Sequence, residues 1–191
     1  MAKRRPDGWF VAGFVGLLGF FALEATTRGR GAASSLTTTK ADESTTRGIV
    51  LAYVGSGIGA SVAALVPGPR LPAVLAPCGL AVQAAGIALR AWSMRTLGNA
   101  YTRTLRTGAG QEIVDSGPYR AVRHPGYLGS LITWLGFALT SRSPAVVALC
   151  GAILGRAYSR RITAEERLLR RDLPGYEAYS ARTRRLIPLV W

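Results

Sequence analysis

Apolar residues in this chain gather in long blocks separated by basic or Pro/Gly-containing segments, and short amphipathic periods are scarce. An uncharged run covers 8–23 and ends at Glu24; a second covers 48–66 without a charge; a third, 73–92, is broken only by Gln83 and Arg90. Two shorter blocks follow, 126–140 and 145–157, separated by Ser141, Arg142, Ser143 and Pro144. Blocks of this purity belong to helices that cross a bilayer, for which about 20 residues are needed. The expectation is an all-α, polytopic helical membrane protein with about five transmembrane helices.

The first block, at 16 residues, is short for a span. A membrane helix, a cleaved signal peptide and an interfacial helix compete for it. The Leu23, Glu24, Ala25 sequence is a poor small-residue cleavage site, which favours a retained helix. Residues 26–47 read as a polar loop, and Pro67 to Pro72 as a tight turn. Small residues at 55–59 sit at the i, i+4 spacing that lets membrane helices approach closely. Blocks four and five form a short antiparallel hairpin, so their ends should be covered by protein or border a cavity.

After the fifth block the chain becomes its most charged. Tyr158, Ile162, Glu165 and Leu169 recur at i, i+4, i+7 and i+11, with Leu168 on the same side, so the helix continues beyond the membrane. At least one of Glu165 and Glu166 then borders the apolar face. Pairing with Arg161 or Arg170 at helix spacing is the structural alternative. Pro174 and Gly175 stop the helix, Tyr176 and Tyr179 share a short turn of helix, and Arg184 to Pro188 leads an apolar end. The expected division is 1–72, N-terminal helices and loop, and 73–191, a core ending in a cytoplasmic helical tail.

Composition changes the picture in one respect. The formal charge is +14, from 24 Lys and Arg against 10 acids. Beside long apolar blocks this points to lipid headgroups and argues against nucleic acid, for which no binding motif is present. Five spans put the 26–47 loop, the 93–125 loop, with its turn near 97–101, and the tail on one side. These segments hold most of the arginines, so that side is expected to be cytoplasmic. Lys3, Arg4 and Arg5 then face the other way; an interfacial first block or the larger number of downstream charges would account for it. Cys78 and Cys150 both lie in apolar blocks and read as small buried hydrophobes, with no metal site expected.

The candidate chemistry concentrates at 116–129, Ser-Gly-Pro-Tyr-Arg-Ala-Val-Arg-His-Pro-Gly-Tyr-Leu-Gly, which holds the only histidine, His124. Pro125 suits the first turn of the following helix, where a missing N–H costs nothing. The five-span layout gathers Arg90, Arg123, His124, Tyr127, the Glu165 and Glu166 pair, Tyr176, Tyr179 and Arg185 at one membrane face. Arg90 has two readings, snorkelling to the headgroups or facing a polar cavity.

These residues carry a resemblance. Gly117 to Arg120, Val122 to Gly129, Arg161 and Ile162 with Glu165 to Leu169, Gly175 to Tyr179, and Arg185 to Pro188 resemble the signature of the isoprenylcysteine carboxyl methyltransferase family and its phospholipid methyltransferase relatives. The resemblance covers 89–188, and the segment from Leu89 to Gly98 is a weaker match. It implies an integral membrane enzyme that takes a methyl group from S-adenosylmethionine in a pocket open to the cytoplasm, while a lipophilic or prenylated acceptor enters from the bilayer. By that analogy His124, Pro125, Tyr127 and Gly129 hold the cofactor together with Tyr176, Tyr179, Arg185, Ile187 and Pro188. Glu166 or Glu165 meets its amino or sulfonium region. Arg90, and secondarily Arg123, holds an acceptor carboxylate in line. Carboxyl methylation of an isoprenylcysteine-like acceptor leads. Methylation of a phospholipid amine or a small thiol, an NADPH-dependent sterol-reductase-like activity, and a noncatalytic lipid-binding scaffold remain alternatives.

Overall fold

The computed structural model describes residues 7–26, 42, 44–98 and 113–187. The Lys3 to Arg5 run, most of the 26–47 loop, the 97–101 turn beyond Gly98, and Pro188 lie outside these residues. Six α-helices follow in order: α1 (Gly8–Thr26), α2 (Thr45–Leu65), α3 (Leu75–Leu97), α4 (Pro125–Thr140), α5 (Pro144–Asp172) and α6 (Tyr176–Arg182). A 3₁₀ turn covers Gly117–Arg120 ahead of α4. Among the described residues there is no β-strand, and Val122 and Arg184 form one isolated parallel bridge.

Three helices, α1, α2 and α3, are long and apolar enough to cross a membrane. The 16 residues of α4 reach only about 24 Å at 1.5 Å per residue, less than a hydrocarbon core of about 30 Å. Its solution is to sit inside the bundle, where Gly129, Thr133, Trp134, Gly136, Phe137 and Ala138 are all buried. The fifth block and the amphipathic segment after it form one continuous 29-residue helix, α5, that runs out of the bundle. Ser143 starts it by accepting from the Val146 N–H, and Gly175, at φ 81°, turns the chain into α6.

Helices α3 and α4 touch backbone to backbone. A Cβ on Gly79 would come within 2.7 Å of the Gly136 carbonyl, and one on Gly129 within 2.7 Å of the Arg90 nitrogen. Gly86 meets Thr133, and Gly136 meets Gln83, just as closely. Glycines seven apart on each helix thus make one seam in which dispersion replaces the hydrophobic force that lipid does not supply.

On α2 the seam facing α5 is built from Ala52, Ser56, Ala60 and Ala64. Two of the expected glycines join it, Gly55 against Ile153 and Gly59 against Leu149 of α5, while nothing approaches Gly57.

Helix α1 is a packed member of the bundle. Gln83 Nε2 donates to the Gly13 carbonyl at 2.9 Å, and the rings of Phe10 and Phe14 lie against Phe137. Cys150 is buried as expected, while Cys78 is exposed on α3.

The helices alternate in direction. At one end Leu71 N–H donates to the Arg142 carbonyl at 2.7 Å, Arg142 Nε to the Leu71 carbonyl at 2.9 Å, and Arg70 Nη1 to the Ser141 carbonyl at 2.6 Å. The opposite end collects the C-termini of α1 and α3, the N-termini of α2 and α4, and the outer half of α5. That shared end is what the order of blocks and loops implies.

Candidate active site at one end of the bundle

The site end is built around Glu166, which is only 3% exposed. Its Oε1 accepts from Arg123 Nε at 2.8 Å and lies 3.3 Å from His124 Nε2; its Oε2 accepts from Arg185 Nε at 3.0 Å. Burial by itself would raise this carboxyl, but the hydrogen bonds and charges of His124 and Arg123 outweigh it and hold it at about 2.

Arg123 clamps as well as pairs. Its Nη1 donates to the carbonyls of Ser180, at 2.9 Å, and Thr183 at the end of α6, where a cation is favoured. Backbone bonds reinforce the clamp: Arg123 N–H to the Arg184 carbonyl at 2.7 Å, and His124 N–H to the Arg185 carbonyl at 3.0 Å.

The tail closes from above. Tyr176 and Tyr179 are buried with ring centroids 5.9 Å apart. Tyr179 donates to the Tyr119 carbonyl at 2.8 Å, and burial pushes its hydroxyl up to about 12. The Tyr176 hydroxyl, raised by burial too, has no partner among the described residues. A buried hydroxyl without a partner is costly, so a bound molecule is the natural complement.

Below this wall the polar chain continues. Tyr127 donates to Glu165 Oε2 at 2.6 Å and accepts from Arg161 Nε at 3.2 Å. Arg161, 2% exposed, binds Asp42 through Nη1 and also reaches the hydroxyls of Thr45 and Thr46 at 2.9 and 3.0 Å. Burial would raise Asp42, yet the Thr45 and Thr46 donors and the Arg161 charge bring it below the usual carboxylate value. The rings of His124 and Tyr127 stack at 5.7 Å.

Arg90 faces inward, and snorkelling is excluded. It is 9% exposed, and its Nε donates to Glu24 Oε1 at 2.8 Å, from the last turns of α1. A Cβ on Gly126 would lie 3.0 Å from Arg90 Nη1, so the glycine leaves room for the guanidinium against the first turn of α4.

Of the residues expected at the site, the structure brings Arg123, His124, Glu166 and Arg185 into one cluster, with Tyr176 and Tyr179 above it. Tyr127 and Glu165 form a second pair. Pro125 opens α4, and Gly129 lies in the α3 seam. Ile187 is exposed at the edge. Both acids are engaged, Glu166 by the tail and Glu165 by Tyr127. Glu24 and Asp42 enter the site unannounced. Each is an acid in or beside a polar segment, and no period or spacing ties it to a partner 66 or 119 positions away.

Buried arginines paired across helices, a tyrosine-lined tail and an apolar bundle define a polytopic helical membrane protein with a polar site at one membrane face. The family model described as the isoprenylcysteine carboxyl methyltransferase (ICMT) family matches residues 79–171. The resemblance read from the motifs is therefore borne out for this stretch.

Among curated proteins, a probable protein-S-isoprenylcysteine O-methyltransferase of Oryza sativa subsp. indica is 30% identical over 115 residues, covering 59% of this chain and 60% of that protein. The cobalt-zinc-cadmium resistance protein CzcN of Cupriavidus metallidurans is 31% identical over 97 residues, covering 50% and 45%. The chain thus spans 60% and 45% of the length of these relatives, less than two thirds of either. Among solved structures, a eukaryotic intramembrane Ras methyltransferase ICMT superposes with a TM-score of 0.69 at 18% identity, covering 95% of this chain and 67% of that one. At that identity the likeness establishes the fold.

Proposed function

We propose that the protein is an S-adenosylmethionine-dependent membrane methyltransferase acting on a lipophilic acceptor, with carboxyl methylation of an isoprenylcysteine-like molecule as the leading reaction. The observation that carries this reading is the family match over 79–171, the region that supplies the Arg123, His124, Glu166 cluster and the Tyr127 and Glu165 pair.

The side chains suit the cofactor. The Tyr176 hydroxyl, without a partner among the described residues, suits a polar ligand, and tyrosine faces with the Glu165 carboxylate favour its cationic portion. Tyr176, Tyr179, His124 and Tyr127 would line its pocket. Glu166 and Arg123, saturated by the tail, serve as positioning residues that hold that wall in place. When bound, the cofactor supplies an already activated methyl group. The chain's own task is alignment and the exclusion of water, since in-line attack needs little acid or base assistance. Arg90 supplies a forked cation at the depth where an acceptor carboxylate would lie.

A groove of about 340 Å³ between α2 and α5, lined by Leu51, Ala52, Ile153 and Ala157 with Arg156 and Arg160 at its rim, supports lateral entry of an apolar acceptor with an anionic head. In this reading the site end faces the cytoplasm, which the arginine-rich loops and tail support. On the same reading α4 and α5 complete five spans, with α4 short because other helices cover it.

The decisive experiment is a thermal shift of the purified protein with S-adenosylhomocysteine, with NADPH or with neither, followed by radiolabelled methyl transfer into a prenylcysteine acceptor. Stabilisation by S-adenosylhomocysteine together with base-labile label is expected. Stabilisation by NADPH alone would replace the reading with a reductase.

A further inference from the structure

Among the described residues Arg90 pairs with a carboxylate that comes from the N-terminal helix. Glu24 Oε1 sits 2.8 Å from Arg90 Nε, with the two side chains 14% and 10% exposed. Around the pair the chain is apolar: Phe20 and Phe21 precede Glu24 by one turn, and Tyr53 lies edge-on to both rings. Gly126 leaves the guanidinium beside the N-terminal turn of α4, where the positive end of the helix adds to the demand for an anion. A buried guanidinium there cannot stand unpaired. The structure shows what meets that demand within the chain: a carboxylate on a three-atom tether.

We propose that Glu24 is an internal occupant of the acceptor-carboxylate site, exchanged for the carboxylate of the incoming acceptor, and that it sets specificity for acceptors able to make that exchange. The inference rests on the methyl-transfer reading and adds to it a residue outside the matched stretch 79–171. Exchange keeps the guanidinium paired throughout, because one carboxylate leaves as another arrives. A neutral acceptor brings no carboxylate in exchange, so its entry would break the Arg90–Glu24 pair without returning an anion to the guanidinium. Such sites reject an uncharged isostere far more strongly than a shape mismatch would. Glu24 is a positioning residue here: it acts on the acceptor through Arg90.

The test compares two probes, a prenyl thioether carboxylate and its uncharged amide, binding to the full chain in nanodiscs preloaded with S-adenosylhomocysteine. For Glu24→Gln the carboxylate probe should bind about tenfold tighter or more, because its competitor is gone, while the amide changes little. Glu24→Asp, whose shorter tether draws the carboxylate back from Arg90, should move binding in the same direction by a smaller factor and keeps the test open if the glutamine variant does not fold. Weaker carboxylate binding in the folded variants, or equal shifts for both probes, would overturn the exchange while leaving methyl transfer standing. A parent chain that binds neither S-adenosylhomocysteine nor the carboxylate would overturn both.

Discussion

Glu166 and Arg185 are joined across the gap between α5 and the chain beyond α6, Oε2 to Nε at 3.0 Å, while the other oxygen of the same carboxylate holds Arg123 at 2.8 Å. One buried acid therefore fastens two segments that are 62 positions apart, Arg123 and Arg185, into a single wall.

Replacing Glu166 by alanine would leave Arg123 and His124 buried without their anion. Removing one partner of such a cluster costs about 3–5 kcal/mol. The expected result is a lower thermal midpoint, protease sensitivity in the Tyr176–Arg182 helix, and weaker S-adenosylhomocysteine binding by calorimetry. An unchanged dissociation constant would remove the tail from the pocket.

Acid should act on the same bond. The folded Glu166 carboxyl lies at about 2, below its ordinary 4.5. Its stabilisation is therefore complete above the unfolded value and lost as pH falls from about 4.5 towards 2. Hydrogen exchange of the α6 amides should stay slow down to about pH 4.5 and quicken below it. Exchange that speeds up already between pH 7 and 5 would point to another group.

The glycine seam gives a test of packing. Gly86→Ala and Gly136→Ala each drive a methyl group into the backbone of the facing helix. Overpacking of this kind costs about 1–3 kcal/mol. Gly57→Ala and Gly155→Ala, where nothing lies within 4 Å, serve as controls whose thermal midpoints should hold or rise slightly.

Arg90→Ala should abolish methyl transfer while S-adenosylhomocysteine still binds, because Arg90 pairs with Glu24 and takes no part in the Glu166 cluster. Equal loss of cofactor affinity and transfer would move Arg90 to the cofactor side.

Asp42→Asn should weaken the hold on Arg161, which reaches Tyr127 with its Nε and Asp42 with its Nη1. We expect a destabilisation of about 3 kcal/mol or more from the weakened buried pair. A double-mutant cycle with Arg161→Met, read as thermal midpoints, should show strong coupling.

What the sequence could reveal follows from where each signal lives. The Arg-His-Pro-x-Tyr stretch is local: Pro125 fixes the start of α4, and the residues beside it arrive at the site together. The tail is legible for the same reason, with a helix period, a Pro-Gly stop and two tyrosines three apart. The continuity of α5 is legible too, because the period of Tyr158, Ile162, Glu165 and Leu169 carries the apolar half into the charged half and no residue breaks the helix between them. The packing face at 55–59 is legible from its small residues: Ser56 is buried and Gly55 and Gly59 meet α5, while the alanines that extend the row, Ala52, Ala60 and Ala64, carry no comparable signal. Glu24 and Asp42 had no local signature at all. Their meaning lies in burial beside an arginine, which only the folded chain supplies.

The reciprocal bonds at the far end, Leu71 with Arg142 and Arg70 with Ser141, have a mechanical consequence. One backbone bond and two arginine side chains on backbone carbonyls tie the α2–α3 and α4–α5 turns there. At the site end the helices meet through side-chain ion pairs, Glu24 with Arg90 and Asp42 with Arg161. The two helical hairpins are thus pinned to each other at the end away from the polar site, so any opening between them is expected at the end where the polar chemistry sits.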